Sequence, residues 1–255
     1  MRKILLLVLI CIIMSGCREQ SATNKNSHEK VIITVSAAAS LKNALSEVEK
    51  EYEKKHNHVD IKFNYGASGA LARQIISGAP VDIFFSAAED KTNGLVQHKV
   101  VDKQDVTSLL KNHLVLISNK KLSSVNDLQD KKIEKIALGN PETVPAGMYS
   151  KQVLDQSKLY QKVKSKIVQT KDVRQVLTYV ETGNTEAGIV YTSDLHSDNN
   201  IKYKIRIDDK LHDTITYPIA KIKTTKHKQE TDELYQYLIS KQCKKIYQSY
   251  GFDIK

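Results

Sequence analysis

From Val31 to the C-terminus, short apolar runs alternate with segments whose apolar residues recur at helical spacing. That alternation restricts the chain to α/β layers, read here as parallel. Val31 to Val35 reads as a buried strand, after which Leu41, Leu45, Val48 and Tyr52 share one helical face. Val59, Ile61, Phe63 and Tyr65 alternate as the next strand, Leu71 with Ile75 marks a short helix ended by Gly78 and Pro80, and Val81 to Phe85 forms a third strand. A second set of units opens at the apolar run Leu114 to Ile117. It holds a strand at Ile136 to Leu138, a helix with Met148, Val153 and Leu154, a helical face of Val173, Val176, Leu177 and Val180 ended by Gly183, and a strand from Ala187 to Tyr191. Tyr217-Pro218-Ile219-Ala220 is extended by the proline rule and returns the chain to the first set, where the last helices (about Thr231 to Tyr250) pack. Two crossings imply two lobes, 31–112 with 218–255 and 113–217, around a hinged cleft. A chain of 255 residues with 40% hydrophobic and 27% charged side chains can fill both.

The N-terminus follows a different plan. Met1, Arg2 and Lys3 give a positive start, Ile4 to Met14 is apolar, and Ser15 and Gly16 lead to Cys17. This is the layout of a signal peptide over 1–16, and its apolar run is shorter than the roughly 20 residues a bilayer span requires. Met14-Ser15-Gly16-Cys17 resembles a bacterial lipobox, with Met14 where Leu is usual. The resemblance implies a lipid on Cys17, a polar tether over 17–30 and a place on the outer face of the cytoplasmic membrane. Cys11 would leave with the leader, so Cys243 has no disulfide partner and reads as a buried apolar filler.

The net charge of +10 admits nucleic acid, an anionic membrane surface or an anionic solute as partners. Basic residues are spread along the chain with no block of five and no interleaved aromatic platform, which argues against nucleic acid.

Four helix starts each follow a strand, at the sheet edges where α/β ligands bind. Ser40 and Ser68 are expected as N-caps, the latter within Gly66-Ala67-Ser68-Gly69-Ala70, whose small residues let a ligand approach the backbone. Val144-Pro145-Ala146-Gly147 places proline at the first helical position, leaving the amides of Ala146 and Gly147 free, and Thr170-Lys171-Asp172-Val173 opens the fourth helix. Free amides at helix N-termini bind anions without a formal cation. With the Tyr191 hydroxyl at a strand end, the set describes an oxyanion cleft.

At these positions the chain resembles the molybdate-binding proteins of ABC importers, from about Val31 to Lys255. The likeness rests on Ala37-Ala38-Ala39-Ser40-Leu41, Leu71-Ala72-Arg73-Gln74-Ile75, Gly78-Ala79-Pro80-Val81-Asp82, the run from Asn140 to Gly147, Asp172-Val173-Arg174, Gly188-Ile189-Val190-Tyr191 and Tyr250-Gly251-Phe252. It implies a two-lobed, periplasmic-binding-protein-like fold of type II and capture of molybdate, and of tungstate with it. It further implies a monomer without cofactor or catalysis that delivers to a membrane permease with a cytoplasmic ATPase. Matched motif to motif, the oxyanion donors fall on the hydroxyls of Ser40, Ser68 and Tyr191 and the amides of Ala146 and Val173. Molybdenum would enter only as molybdate. The residues around Ser68 depart from the serine-rich form of some relatives, and Ser86 reads as structural.

Rival readings are a different small anion, such as sulfate or phosphate, and a serine hydrolase using Ser68. The hydrolase would treat Gly66 to Ala70 as a nucleophile elbow with His196 or His212 as base, but Ala70 stands where that motif asks for Gly. His56-Asn57-His58 offers two histidines without further placed zinc ligands. Walker and dinucleotide glycine patterns do not occur.

Overall fold

A computed structural model describes residues 30–196 and 200–255. The leader (1–16), most of the tether (17–30) and Cys17 lie outside the described residues.

Among the described residues, eleven strands form two sheets. The first sheet contains β1 (Val31–Ala38), β2 (Val59–Gly66), β3 (Ile83–Phe85), β4 (Val106–Asn112), β10 (Ile215–Lys221) and β11 (Asp253–Ile254), in the order β11-β4-β10-β3-β1-β2. The second contains β5 (Leu114–Ser118), β6 (Ile136–Gly139), β7 (Ile167–Thr170), β8 (Ala187–Tyr191) and β9 (Tyr203–Arg206), in the order β7-β6-β8-β5-β9. The helices are α1 (Lys42–Lys55), α2 (Ser68–Ile76), α3 (Glu89–Gln97), α4 (Pro145–Gln156), α5 (Tyr160–Val163), α6 (Val173–Glu181), α7 (Lys228–Leu238) and α8 (Lys241–Ser249).

The sheets are mixed, not parallel throughout as expected. In the first, β1 runs parallel to β2 and β3, while β10 lies antiparallel between β3 and β4. In the second, β6 is parallel to β7 and β8, and β5 is antiparallel to β8 and β9. The antiparallel members include the strands that carry the chain between the sheets: β4 passes into β5 across His113, and β10 brings it back. The βαβ units need parallel neighbours joined by a helix, whereas a passing strand can pair either way. A register shift at Tyr217/Pro218 lets β10 accommodate its proline, which has no amide for the ladder.

The helices bury the faces their spacing implies: Ala44, Leu45, Val48 and Tyr52 on α1, and Val173, Val176, Leu177 and Val180 on α6. The main apolar core takes side chains from both sheets, among them Ile33, Val35, Leu116, Ile136 and Ile189, so the layers are packed against one another. Cys243 is fully buried in it, and burial pushes its thiol up to about 12.

Candidate functional site

The carboxyl ends of β1, β2, β3, β6, β7 and β8 deliver the chain to one partly open cavity. Its wall includes Ala38, Ala39 and Ser40 after β1, Gly66, Ala67 and Ser68 after β2, and Ala87 after β3. From the second sheet come Val144, Pro145 and Ala146 after β6, Asp172 and Val173 after β7, and Tyr191 at the end of β8. All five residues expected to hold an anion are therefore brought together, and they are between 0% and 4% exposed. The cavity volume is about 10 Å³, far below the range of about 300–1,000 Å³ typical of drug-sized ligands. A small ion suits it.

The two serines arrive by other local routes than expected. Ser40 is not the N-cap of α1: a 3-10 turn, Ala39–Leu41, intervenes, Leu41 is the capping residue, and neither cap uses a side chain. Ser68 is the first residue of α2 and Ala67 is its N-cap. Each hydroxyl is thereby released from capping and held by a partner far away in sequence. The Ser40 hydroxyl lies 2.9 Å from the Tyr217 hydroxyl. The Asn112 amide nitrogen donates to that same phenol at 3.2 Å and to the Ser193 hydroxyl at 2.8 Å, while its oxygen accepts the His113 amide. The bond between the two hydroxyls can run either way, and when Tyr217, already accepting from Asn112, gives its own proton to Ser40, the proton of Ser40 is left for the cavity. Ser68 is wired in the same sense, its oxygen accepting the Ala87 amide at 3.0 Å. Ser86 shapes that loop by donating to Ala88 O at 2.9 Å, the structural role expected of it.

The second sheet supplies helix N-termini. Pro145 is the first residue of α4 and Val144 its N-cap, as the sequence implied. Glycines let the loop before α4 fold tightly: a Cβ on Gly147 would stand 2.0 Å from Gly139 O, so this helix start sits directly on the end of β6. Of the two amides expected to be free, Gly147 donates to Val144 O at 2.9 Å, which corrects that expectation. Ala146, the second residue of the helix, keeps an amide without an intrahelical partner, as does Val173 at the start of α6. Asp172 caps α6 by accepting the Gln175 amide at 2.9 Å, and Gln175 answers by accepting the Lys171 amide at 2.9 Å.

Tyr191 completes the wall, with a buried hydroxyl that has no hydrogen-bond partner. Burial holds the Tyr191 and Tyr217 phenols well above their ordinary range, so both are neutral donors. Below Tyr191, the Asp194 carboxylate accepts the Tyr191 amide at 3.0 Å, and burial lifts that carboxyl to about 7. No Lys, Arg or His lines the cavity among the described residues, and Asp172 is its one charged residue there. What the wall offers is hydroxyl protons, peptide amides and the positive ends of α2, α4 and α6.

Sequence reasoning missed Tyr217, Asn112 and Ala87 as parts of this arrangement, and it quoted the fourth helix start without assigning the cap to Asp172. The Asx signal at Asp172 could have found that cap; the others act across separations of 177, 105 and 19 residues that no local pattern records. The hydrolase reading finds no base beside Ser68. The ring of His196 lies 4.3 Å from that of Tyr250, and that of His212 lies 6.0 Å from that of Tyr149. His56 stacks on Tyr52 at 4.0 Å and bonds Tyr52 O, and no group of three metal-ligating side chains occurs among the described residues.

A two-sheet fold with a donor-lined cavity between the sheets is that of a binder of small solutes, and residues 33–253 match the family model of the bacterial extracellular solute-binding proteins. The chain belongs to that family. It is 46% identical over 246 residues, 94% of this chain and 93% of the relative, to YvgL of Bacillus subtilis (strain 168), named as an ABC transporter substrate-binding lipoprotein. To the molybdate-binding protein ModA of Escherichia coli (strain K12) it is 34% identical over 232 residues, 88% of this chain and 89% of that one. Among solved structures it resembles one named as the substrate-binding domain of a molybdenum ABC transporter from Clostridium difficile. That match has 40% identity and a TM-score of 0.67, and covers 88% of this chain and 99% of the other.

Proposed function

We propose that this solute-binding protein captures molybdate, and tungstate with it, and delivers the anion to an ABC importer. The observation that carries the reading is the wiring of the cavity. The oxygen of Ser68 accepts from Ala87 and the hydroxyl of Ser40 is paired with Tyr217; in this reading both serine protons, with the unpartnered Tyr191 hydroxyl and the amides of Ala146 and Val173, serve an acceptor-only guest. A fully deprotonated tetrahedral oxyanion is such a guest. Burying two negative charges is costly unless several hydrogen bonds replace the lost water, and this set supplies them without a counter-ion.

In this reading the donors of Ser40 and Ser68 belong to a lobe of 31–112 with 218–255, and the others to a lobe of 113–217. Closure about the strands that join the lobes brings the halves together. A lipid on Cys17 would hold the monomeric protein at the outer face of the cytoplasmic membrane, beside its permease.

Ser40→Ala, Ser68→Ala and Tyr191→Phe each remove one donor, and each is expected to weaken molybdate binding by about 1.5 to 3 kcal/mol, roughly ten- to a hundredfold. Titration calorimetry measures this directly. Parent-like affinity in all three variants would remove the site assignment.

A further inference from the structure

Gly69, which touches no part of the anion cavity, closes it from outside. It is the second residue of α2, and its amide has no partner within that helix. The partner comes from the opposite sheet: the amide donates to Thr143 O at 3.0 Å, in the loop between β6 and α4. The approach is so close that a Cβ on Gly69 would lie 2.7 Å from Thr143 O, 3.1 Å from its Cα and 3.2 Å from its carbonyl carbon. All three are backbone atoms, which cannot swing away as a side-chain end could. The loop that carries them is itself tied down, with Thr143 and Val144 both donating to Asn140 O, at 3.2 and 2.8 Å, and Asn140 donating to Thr170 O at 3.0 Å.

We infer that Gly69 and Thr143 form a backbone latch that sets how far the two halves of the donor set can approach, making Gly69 a specificity-determining position that never contacts the ligand. The placement gives the reason. Gly69 follows Ser68, and Thr143 precedes Ala146 by three residues, so the latch fixes the distance between a hydroxyl donor of one sheet and an amide donor of the other. Gly69 is required for space rather than for backbone conformation, since it lies within a helix. An opening of the cleft that parts α2 from the Thr143 loop would remove this contact, and alanine is the better helix former.

The inference rests on the oxyanion-capture reading, and the experiment keeps the two apart. Parent, Gly69→Ala and the control Gly94→Ala, a helical glycine with nothing within 4 Å of its built Cβ, are compared by calorimetry and solution scattering with molybdate. Gly69→Ala is expected to melt, without ligand, at or above the parent temperature. Its affinity should fall tenfold or more through faster dissociation, and its radius with saturating molybdate should stay larger than that of the liganded parent. Gly94→Ala should bind and compact like the parent. Parent affinity and compaction in Gly69→Ala would overturn the latch, as would unfolding of the unliganded variant, because the open cleft leaves room for the methyl. A parent protein that takes neither molybdate nor tungstate, sulfate or phosphate would overturn the capture reading and the latch with it.

Discussion

A hydroxyl can give one proton and accept two, so which way each bond points decides whether the cavity suits a donor or an acceptor. At Ser40 the direction is biased from three residues away: His113's amide fixes the Asn112 oxygen, Asn112's nitrogen takes one acceptor site of the Tyr217 oxygen, and a Tyr217 proton given to Ser40 turns the Ser40 proton to the cavity. Tyr217→Phe should therefore weaken molybdate binding although Tyr217 does not line the cavity. It also strands a buried Asn112 proton, so unliganded stability should fall by about 1 to 3 kcal/mol. Urea unfolding and calorimetry on the one variant read both effects, and an unchanged affinity would mean that Ser40 is oriented without it. Asp194 carries a second residue-scale expectation. Burial, opposed by Arg174 and by the bond from the Tyr191 amide, raises its carboxyl from 3.8 to about 7. The unfolded chain releases this proton near pH 4, so between about pH 4 and 7 the folded protein holds it in excess and stability falls as pH rises, by up to about 4 kcal/mol. Below that window the contribution is intact, and above it the loss is complete. Asp194→Asn, which keeps an oxygen for the Tyr191 amide, should flatten the slope between pH 5 and pH 8; equal slopes in parent and variant would refute this. That Ser40, Ser68 and Tyr191 meet at one cavity was legible from their motifs, but the local contacts of the serines were not. A cap is a local contact and the sequence suggests one, whereas the partner of Ser40 is 177 residues away.

At the scale of elements, the anion is offered helix N-termini rather than charged side chains, and the amide of one helix start can be deleted almost alone. Proline is favoured at the first residue of a helix, and the residue before it must be extended. Asp172, the N-cap of α6, is extended, with φ −159° and ψ 172°. Val173→Pro thus removes the Val173 amide while leaving the backbone of α6 in a shape that proline accepts. Molybdate affinity should drop about tenfold, the worth of one charge-assisted hydrogen bond, while the circular dichroism of the unliganded protein stays unchanged. Full affinity in a folded Val173→Pro would take that amide out of the site. The helices that bury a continuous apolar stripe, such as α1 and α6, were readable from spacing. Helix α3, with only Thr92 and Leu95 buried, offers no stripe to read. Strand β4, whose first three residues are half-buried, offers no alternation either. The direction of β5 and β10 was not legible, because an apolar run looks the same whichever way it pairs.

Across the whole molecule, selection among anions follows from the donors being divided between two sheets whose approach has a limit. Molybdate and tungstate are dianions of nearly the same size near neutral pH, so both should bridge the two sets of donors equally well. Sulfate is also a dianion but a smaller one, and once Gly69 meets Thr143 O the sheets can come no closer to reach it. Phosphate fails for another reason: it keeps a proton that needs an acceptor. Ser68 already accepts from Ala87 and Ser40 is paired with Tyr217, and since one oxygen of Asp172 accepts the Gln175 amide, phosphate would have to turn its proton to the other Asp172 oxygen or leave it unpaired. A proton buried without a partner costs about 1 to 3 kcal/mol. The chain has no Trp, so intrinsic fluorescence is a weak probe and thermal shift is preferable. An anion present at about 100 times its Kd stabilises the folded state by roughly 2.7 kcal/mol. The expected order of shifts is molybdate equal to tungstate, sulfate well below them, and phosphate lowest. A phosphate shift matching that of molybdate would show that the cavity holds a free acceptor after all, and the assignment of an acceptor-only guest would fall.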